Sequence, residues 1–281
     1  MIPRIGFSLQ KQYDRPLTQI IPLLEENGFS AVSPVWSPEL DLPLLSSCAK
    51  KHSIELQSLH APHRGIALLW EPDSDGAAAV YEGIIHSIDD CARFEIPILV
   101  MHGWSGLYYT FPEAPLDFRF FDEIVCHSEE MKISIAFENL EGEEYLAALM
   151  ERYHSRKNIG YCWDSGHDHC YPHKTDFLKA YGDRLIMTHL NDNLGLRRAD
   201  GIPTGDDDLH FLPYDGKIDW NSSIAKLKRA AKQDILNFEL KTASHSTAPH
   251  DLIYSALSAE DFIAEAGVRA RKLAEKYASA I

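Results

Sequence analysis

Eight times along this chain an apolar run of strand length gives way to a stretch of helical period, and no other feature narrows the fold as much. The apolar runs are 5–9, 31–36, 54–59, 96–101, 133–137, 159–163, 185–188 and 235–238. Helical stretches follow at 17–27, 42–52, 76–94, 118–131, 144–154, 175–181, 220–231 and 259–278. In the first helix Leu17, Ile20, Ile21 and Leu24 share one face, and Gly28 stops it; in the third, Val80, Ile84, Ile88 and Cys91 form one stripe. A strand plus a helix roughly every 30 to 40 residues is the signature of a parallel sheet. Eight such units in 281 residues predict an α/β fold, a (β/α)8 barrel with one domain over residues 1–281. An open doubly wound sheet is the alternative, but no glycine-rich phosphate loop follows the first strand.

The residue after each run carries the chemistry. Six of the eight runs are followed by His60, His102, Glu138, Asp164, His189 and Glu239, side chains that bind metals or move protons. A lone histidine or glutamate at a strand end is usually structural. In a barrel these six positions face one another across the C-terminal mouth, where such folds keep their chemistry. The densest stretch is 160–169, GYCWDSGHDH, which adds His167 and His169 to Asp164. The most economical metal site is Glu138, Asp164, His189 and Glu239. Three carboxylates and one imidazole suit one divalent ion such as Mn, Zn, Co or Mg and leave positions open for two substrate oxygens. His60, His102, His167, Asp208 and His210 form a second ring of candidates.

The segments SLHAPH, VMHGW, AFENL, CWDSGH, THLND and NFEL, with the loop DDLHFLPYDGKIDW, resemble the xylose isomerase-like TIM barrel superfamily of sugar and sugar-phosphate isomerases and epimerases. The resemblance runs from His60 to Glu239 and lies in order and spacing. Its ketose 3-epimerase branch implies a metal held by Glu138, Asp164, His189 and Glu239. That branch also implies substrate binding by Glu144, six residues beyond the first ligand, and by His167, three beyond the aspartate. Where it carries an arginine six residues after the histidine, this chain has Gly195, with Arg197 and Arg198 close by. The same superfamily contains endonuclease IV-like nucleases of abasic DNA, which hold three zinc ions. Matching positions exist for all nine of their ligands: His60, His102, Glu138, Asp164, His167, His189, Asp208, His210 and Glu239.

Three functions are therefore expected, in descending order. The first is a metal-dependent isomerase or epimerase of a sugar or sugar phosphate. In it Glu138 and Glu239 exchange a proton with the substrate through an enediolate, and His60, His102, Glu144, His167, Asp208 and His210 bind substrate or further metal. The second is a phosphodiesterase of the endonuclease IV kind with up to three zinc ions. The third is a metal-stabilised barrel that binds a sugar without turning it over. A formal net charge of -15 disfavours broad contact with nucleic acid or anionic lipid. The five cysteines are scattered without a CxxC, so no disulfide framework is expected. No membrane span or secretory leader is evident, which points to the cytoplasm, and a homo-oligomer is compatible with the fold.

Overall fold

The computed structural model describes residues 1–9, 15–242, 254 and 256–280. Its strands are β1 (Arg4–Leu9), β2 (Ala31–Pro34), β3 in two pieces (Glu55–Leu56 and Ser58–His60), β4 (Ile98–His102), β5 (Ser134–Glu138), β6 (Ile159–Asp164), β7 (Leu185–His189) and β8 (Ile235–Phe238). All pair in parallel, in the order β3-β2-β1-β8 in one sheet and β3-β4-β5-β6-β7 in the other. Two parallel bridges, Val35 to His60 and Leu190 to Phe238, join the sheets at their borders. The chain thus forms the eight-stranded barrel that the sequence predicts.

The helices are α1 (Leu17–Glu26), α2 (Leu42–Lys51), α3 (Ala77–Arg93), α4 (Arg119–Glu130), α5 (Glu143–Arg152), α6 (Ser165–Cys170), α7 (Phe177–Tyr181), α8 (Trp220–Leu227) and α9 (Ala259–Ser279). Most lie within a residue or two of the predicted spans, and the differences have local causes. The third strand breaks at Gln57, whose side chain turns inward to lie beside Gly6. The short helix α6 was not foreseen, because SGHDHC has no apolar period. It forms because the Asp164 side chain accepts the His167 N–H at 2.7 Å and so caps its first turn. The predicted helix over 220–231 stops at Leu227, though Asp219 caps it as expected, accepting from Asn221 and Ser222.

Strand alternation sets up two cores. Outward residues such as Leu99, Phe137, Tyr161 and Phe238 join the large apolar layer between barrel and helices. Inward residues Val100, Ala136, Cys162 and Met187 form a separate small cluster inside the barrel. Two positions further along each of the same strands, still pointing inward, stand His102, Glu138, Asp164 and His189. The apolar plug is thus the floor beneath the polar groups at the mouth.

Candidate metal centre

Sheet register brings the strand ends together. His102 is level with Glu138 on neighbouring β4 and β5, and Asp164 is level with His189 on β6 and β7. His60 ends β3, and Glu239 follows β8. All six are buried, as are His167 and His210. Glu138 is the hub. Its Oε2 lies 3.4 Å from Nε2 of both His60 and His102 and 3.2 Å from His189 Nδ1. The same His189 nitrogen is 2.8 Å from Glu239 Oε2, and Glu138 Oε1 is 3.2 Å from His167 Nδ1. To one side, His210 Nε2 is 2.8 Å from Asp208 Oδ2, and His167 Nε2 is 3.5 Å from Asp208 Oδ1. Three sets have ligand atoms within 4.8 Å of one another: Glu138, Asp164, His189 and Glu239; His60, Glu138 and His189; and His167, Asp208 and His210.

The histidine tautomers fit a cation. A carbonyl oxygen only accepts, so the Nδ1 of His60, 2.7 Å from the Ala61 carbonyl, carries its proton and leaves a lone pair on Nε2 facing Glu138. His210 Nδ1–H likewise donates to the Glu239 carbonyl at 3.2 Å, and His167 Nδ1–H to the Asn139 carbonyl at 3.0 Å. Their Nε2 atoms face Asp208. Histidine ligands of metals are oriented in this way, with the far N–H on a backbone carbonyl. Both oxygens of Glu138, both ring nitrogens of His102, His189 Nδ1 and Asp208 Oδ1 are buried without a hydrogen-bond partner. Lone pairs of imidazole and carboxylate so close, out of water, need either protons or a metal ion between them.

Asp164 is held from three sides. Asn191 Nδ2 donates to its two oxygens at 3.1 and 2.9 Å, and the His167 N–H to one of them. Asn139 bonds both the N–H and the carbonyl of Asp164, and accepts the Tyr161 hydroxyl at 2.7 Å. Gly166 lets Asn191 come this close, since a Cβ there would sit 1.8 Å from Asn191 Oδ1. The outer group depends on Asp192, whose carboxylate accepts from the N–H groups of Asn193, Tyr214 and Ile218 and from the Trp220 indole. Asp192 also pairs with Phe211, next to His210.

Burial alone would raise the Glu138 carboxyl, but the facing His189 imidazole and the close approach of the His102 and His167 rings outweigh it and hold the group ionised. Glu239 follows the same logic, held low by His189 and His210 against its burial. For Asp164, burial together with the Glu138 and Glu239 carboxylates outweighs His167 and His210 and pushes the group up to about 6. Burial works against protonation of His189, yet the Cys162 sulfur and the Glu138 and Glu239 carboxylates keep its imidazole well above the usual range. His167 is raised in the same way by Asp164 and Asp208. His102 remains neutral because its desolvation dominates.

These groups open into a cavity of about 200 Å³, whose wall also includes His63, Ser105, Glu141, Tyr171 and Lys241. Of the ten candidate residues, His60, His102, Glu138, His167, Asp208, His210 and Glu239 line the cavity, Asp164 and His189 lie behind them with ligand atoms close to those of Glu138 and Glu239, and Glu144 stands apart. The residue sits in the first turn of α5 with its side chain exposed, and its carboxylate accepts the Tyr109 hydroxyl at 2.5 Å. The loop glutamate on the cavity wall is Glu141. Arg197 and Arg198 also turn elsewhere, pairing with Asp207 and Asp200. Trp70 and Trp104 are packing residues, Trp70 against Phe121 and Trp104 stacked on Tyr145. Lys241 could have been found, because it continues the inward alternation of Asn237 and Glu239. Glu141 and Tyr171 lie in irregular chain and carry no such signal.

Comparison with known proteins agrees with this architecture. A solved structure of the IolI protein with a bound zinc atom superposes with a TM-score of 0.75 over 98% of this chain and 99% of its own, at 19% identity. D-Psicose 3-epimerase from Clostridium cellulolyticum H10, solved with D-tagatose, gives 0.65 over 94% of this chain and 96% of its own, at 13% identity. At such identities the likeness is one of fold. An uncharacterized protein of Sinorhizobium fredii, y4fM, is 35% identical over 167 residues, 54% of this chain, and the chain spans about half (49%) of that relative's length. Among the described residues no helix is long and apolar enough to cross a membrane. The family model of the xylose isomerase-like TIM barrel matches residues 21–264, and the chain belongs to that family.

Proposed function

We propose that the protein is a divalent-metal-dependent isomerase or epimerase of a small sugar, with the metal held by Glu138, Asp164, His189 and Glu239. The observation that carries this reading is the convergence of four buried ligands from consecutive strand ends, their ligand atoms within 4.8 Å of one another. Mn, Zn, Co and Mg all accept such a donor set. A divalent ion there would polarise a substrate carbonyl and balance charge developing on its oxygen. Glu138 and Glu239 are both held ionised, so each can accept a proton. One, as carboxylate, would take a proton from the carbon beside the carbonyl. The other, after taking up a proton from water before the transfer, would return it to the opposite face, which inverts that centre; the two groups re-equilibrate with water between turnovers. His60 and His102, at the rim of the same hub, are placed to hydrogen-bond substrate hydroxyls.

A cavity of about 200 Å³ lies below the roughly 300–1,000 Å³ of drug-sized ligand sites, which suits a monosaccharide. The test is metal content per chain on protein purified without chelator, followed by turnover on ketoses and ketose phosphates. About one ion per chain with ketose turnover supports the reading; turnover of no member of the panel with any of the four metals sinks it.

A second reading, the three-zinc phosphodiesterase, is favoured by the separate group of His167, Asp208 and His210. Against it stands the charge of the mouth. Among the described residues lining the cavity Lys241 is the one lysine or arginine, and a nucleic-acid backbone would need several. About three zinc ions per chain with cleavage of abasic-site DNA would establish it instead.

A further inference from the structure

The loop after β5 carries a carboxylate that the proposed proton transfer leaves unused. Glu141 stands three residues beyond Glu138, half-buried on the cavity wall. Its Oε1 accepts the Gly106 N–H at 2.5 Å, and the Gly106 carbonyl in turn accepts the Trp104 indole N–H at 2.9 Å. That anchorage fixes the carboxylate plane. The second oxygen, Oε2, is removed from water and has no hydrogen-bond partner. An ionisable oxygen kept dry without a donor is costly, and a native fold retains one where a donor arrives from outside.

The surrounding charges say what kind of donor. Glu138, Glu141, Asp208 and Glu239 share the cavity wall with one lysine, Lys241, whose Nζ is already 3.5 Å from Asp208 Oδ2, and with the His167 imidazole, whose Nε2 also faces Asp208. Tyr171, on the same wall, keeps its phenol protonated because burial and the neighbouring Asp208 push its ionisation up. A phosphate brought to this side would meet a fixed carboxylate with no guanidinium among the described residues of the cavity wall to offset it, and Arg197 and Arg198 are paired elsewhere. A hydroxyl meets a fixed acceptor.

We propose that Glu141 is a substrate-binding, specificity-determining residue whose Oε2 accepts a hydrogen bond from a hydroxyl remote from the reacting carbons. The substrate is thereby an unphosphorylated polyhydroxy carbonyl compound at that end. The inference rests on the isomerase reading and deepens it. Glu141 takes no part in moving the proton; it selects and orients the chain of hydroxyls that leads to the metal.

The test compares metal-loaded wild type with Glu141→Gln on D-tagatose, D-allulose, D-fructose and D-fructose 6-phosphate. Glutamine keeps an oxygen for the Gly106 N–H but replaces the free oxygen by an NH2 group. The expected result is a wild-type-like melting curve with kcat/KM for the best ketose reduced about 10–100-fold, mostly through KM, which is the range for one charged hydrogen bond. The preference for D-fructose over its 6-phosphate should shrink in parallel, an effect that a loop latch alone would not produce. If Glu141→Gln melts early, Glu141→Asp, which withdraws the carboxylate by one methylene, is read by the same KM and preference. Kinetics like the wild type's on every sugar, in a variant that is folded, overturn the proposal and leave the isomerase reading intact. Absence of any ketose turnover by the wild type overturns the isomerase reading and this inference with it.

Discussion

The two metal-capable groups at the mouth are built differently. Glu138, Asp164, His189 and Glu239 stand on or directly after strands, where the hydrogen bonds of the sheet hold neighbouring ends in register. His167, Asp208 and His210 stand on a six-residue helix and a long loop. His210 adopts a left-handed backbone with φ of 50°, which a side-chain-bearing residue rarely does, and conformations of this kind cluster at functional sites. The Asp208 side chain is 17% exposed, whereas that of Glu138 is 0% exposed. The inner group is therefore pre-organised by the fold itself. The outer one leans on it, because Asp164 caps the helix that carries His167, and the Glu239 carbonyl fixes the His210 ring.

The largest expected effect comes from striking the hub. Glu138→Gln removes a ligand and one proton-transfer group, so turnover should fall by about 10²–10⁴-fold, and metal retention through gel filtration should be lost. Near-wild-type turnover in this variant would contradict both the ligand set and the chemistry. Striking the outer group should do less. His210→Ala is expected to keep about one ion per chain while weakening metal affinity by about 10–100-fold, as loss of an orienting outer partner does. Elemental analysis and a competitive chelator titration measure both quantities. A wild type that carries about three ions, and loses one in this variant, would put the two groups on an equal footing and promote the phosphodiesterase reading.

The same contrast explains what could be read from the sequence. The inner ligands were visible because a strand alternates with period two and each apolar run ends on a titratable residue: VMH, AFE, CWD, MTH and NFE. The barrel was visible for the same reason. The outer ligands have no periodicity behind them, and Asp208 and His210 stand out only as a metal-capable pair in a loop, which the family resemblance then reinforces. Glu144 stands where the spacing puts it in sequence but away from the cavity in the fold. Six residues past a ligand is a distance in sequence, and the left-handed turn at Gly142 starts a helix that spends the last of those residues facing solvent. Glu141, nearer to the metal site, gave no signal because loop glutamates are ordinarily solvated. Gln57 broke a strand that composition alone makes continuous.

Protonation offers a third test, of intermediate size. In the metal-free protein His189 holds a proton above its usual range, and Asp164 is pushed up to about 6. Metal binding at pH 7 must therefore displace at least the His189 proton, and affinity should rise about tenfold per pH unit for each proton released. Calorimetry in two buffers of different ionisation enthalpy counts those protons. The stability of chelated protein follows the signs of the shifts. The lowered Glu138 contributes above the unfolded carboxyl value of about 4.3 and loses that contribution as pH falls through its folded value. The raised His189 contributes below about 6.5 and loses that contribution as pH rises through its folded value. For this pair the metal-free optimum lies between those two limits, and saturating metal should move it upward. A melting temperature of chelated protein that climbs steadily from pH 6 to 9 would contradict the protonated His189.

The smallest effect is expected where sequence spacing pointed and the fold did not follow. Glu144→Ala removes an exposed carboxylate whose hydrogen bond goes to Tyr109, outside the cavity wall. Surface substitutions of this kind shift stability by roughly 0.5 kcal/mol or less, and turnover should stay within about twofold of wild type, since a change of that size in the barrier is worth no more. Set beside Glu141→Gln, the pair becomes a direct comparison of two glutamates three residues apart. A large loss in Glu144→Ala with none in Glu141→Gln would mean that substrate binding draws the helix end inward and that the family's spacing, not the position seen in this fold, identifies the substrate-binding carboxylate. The opposite pattern would mean that the turn at Gly142 has handed the role to the nearer residue.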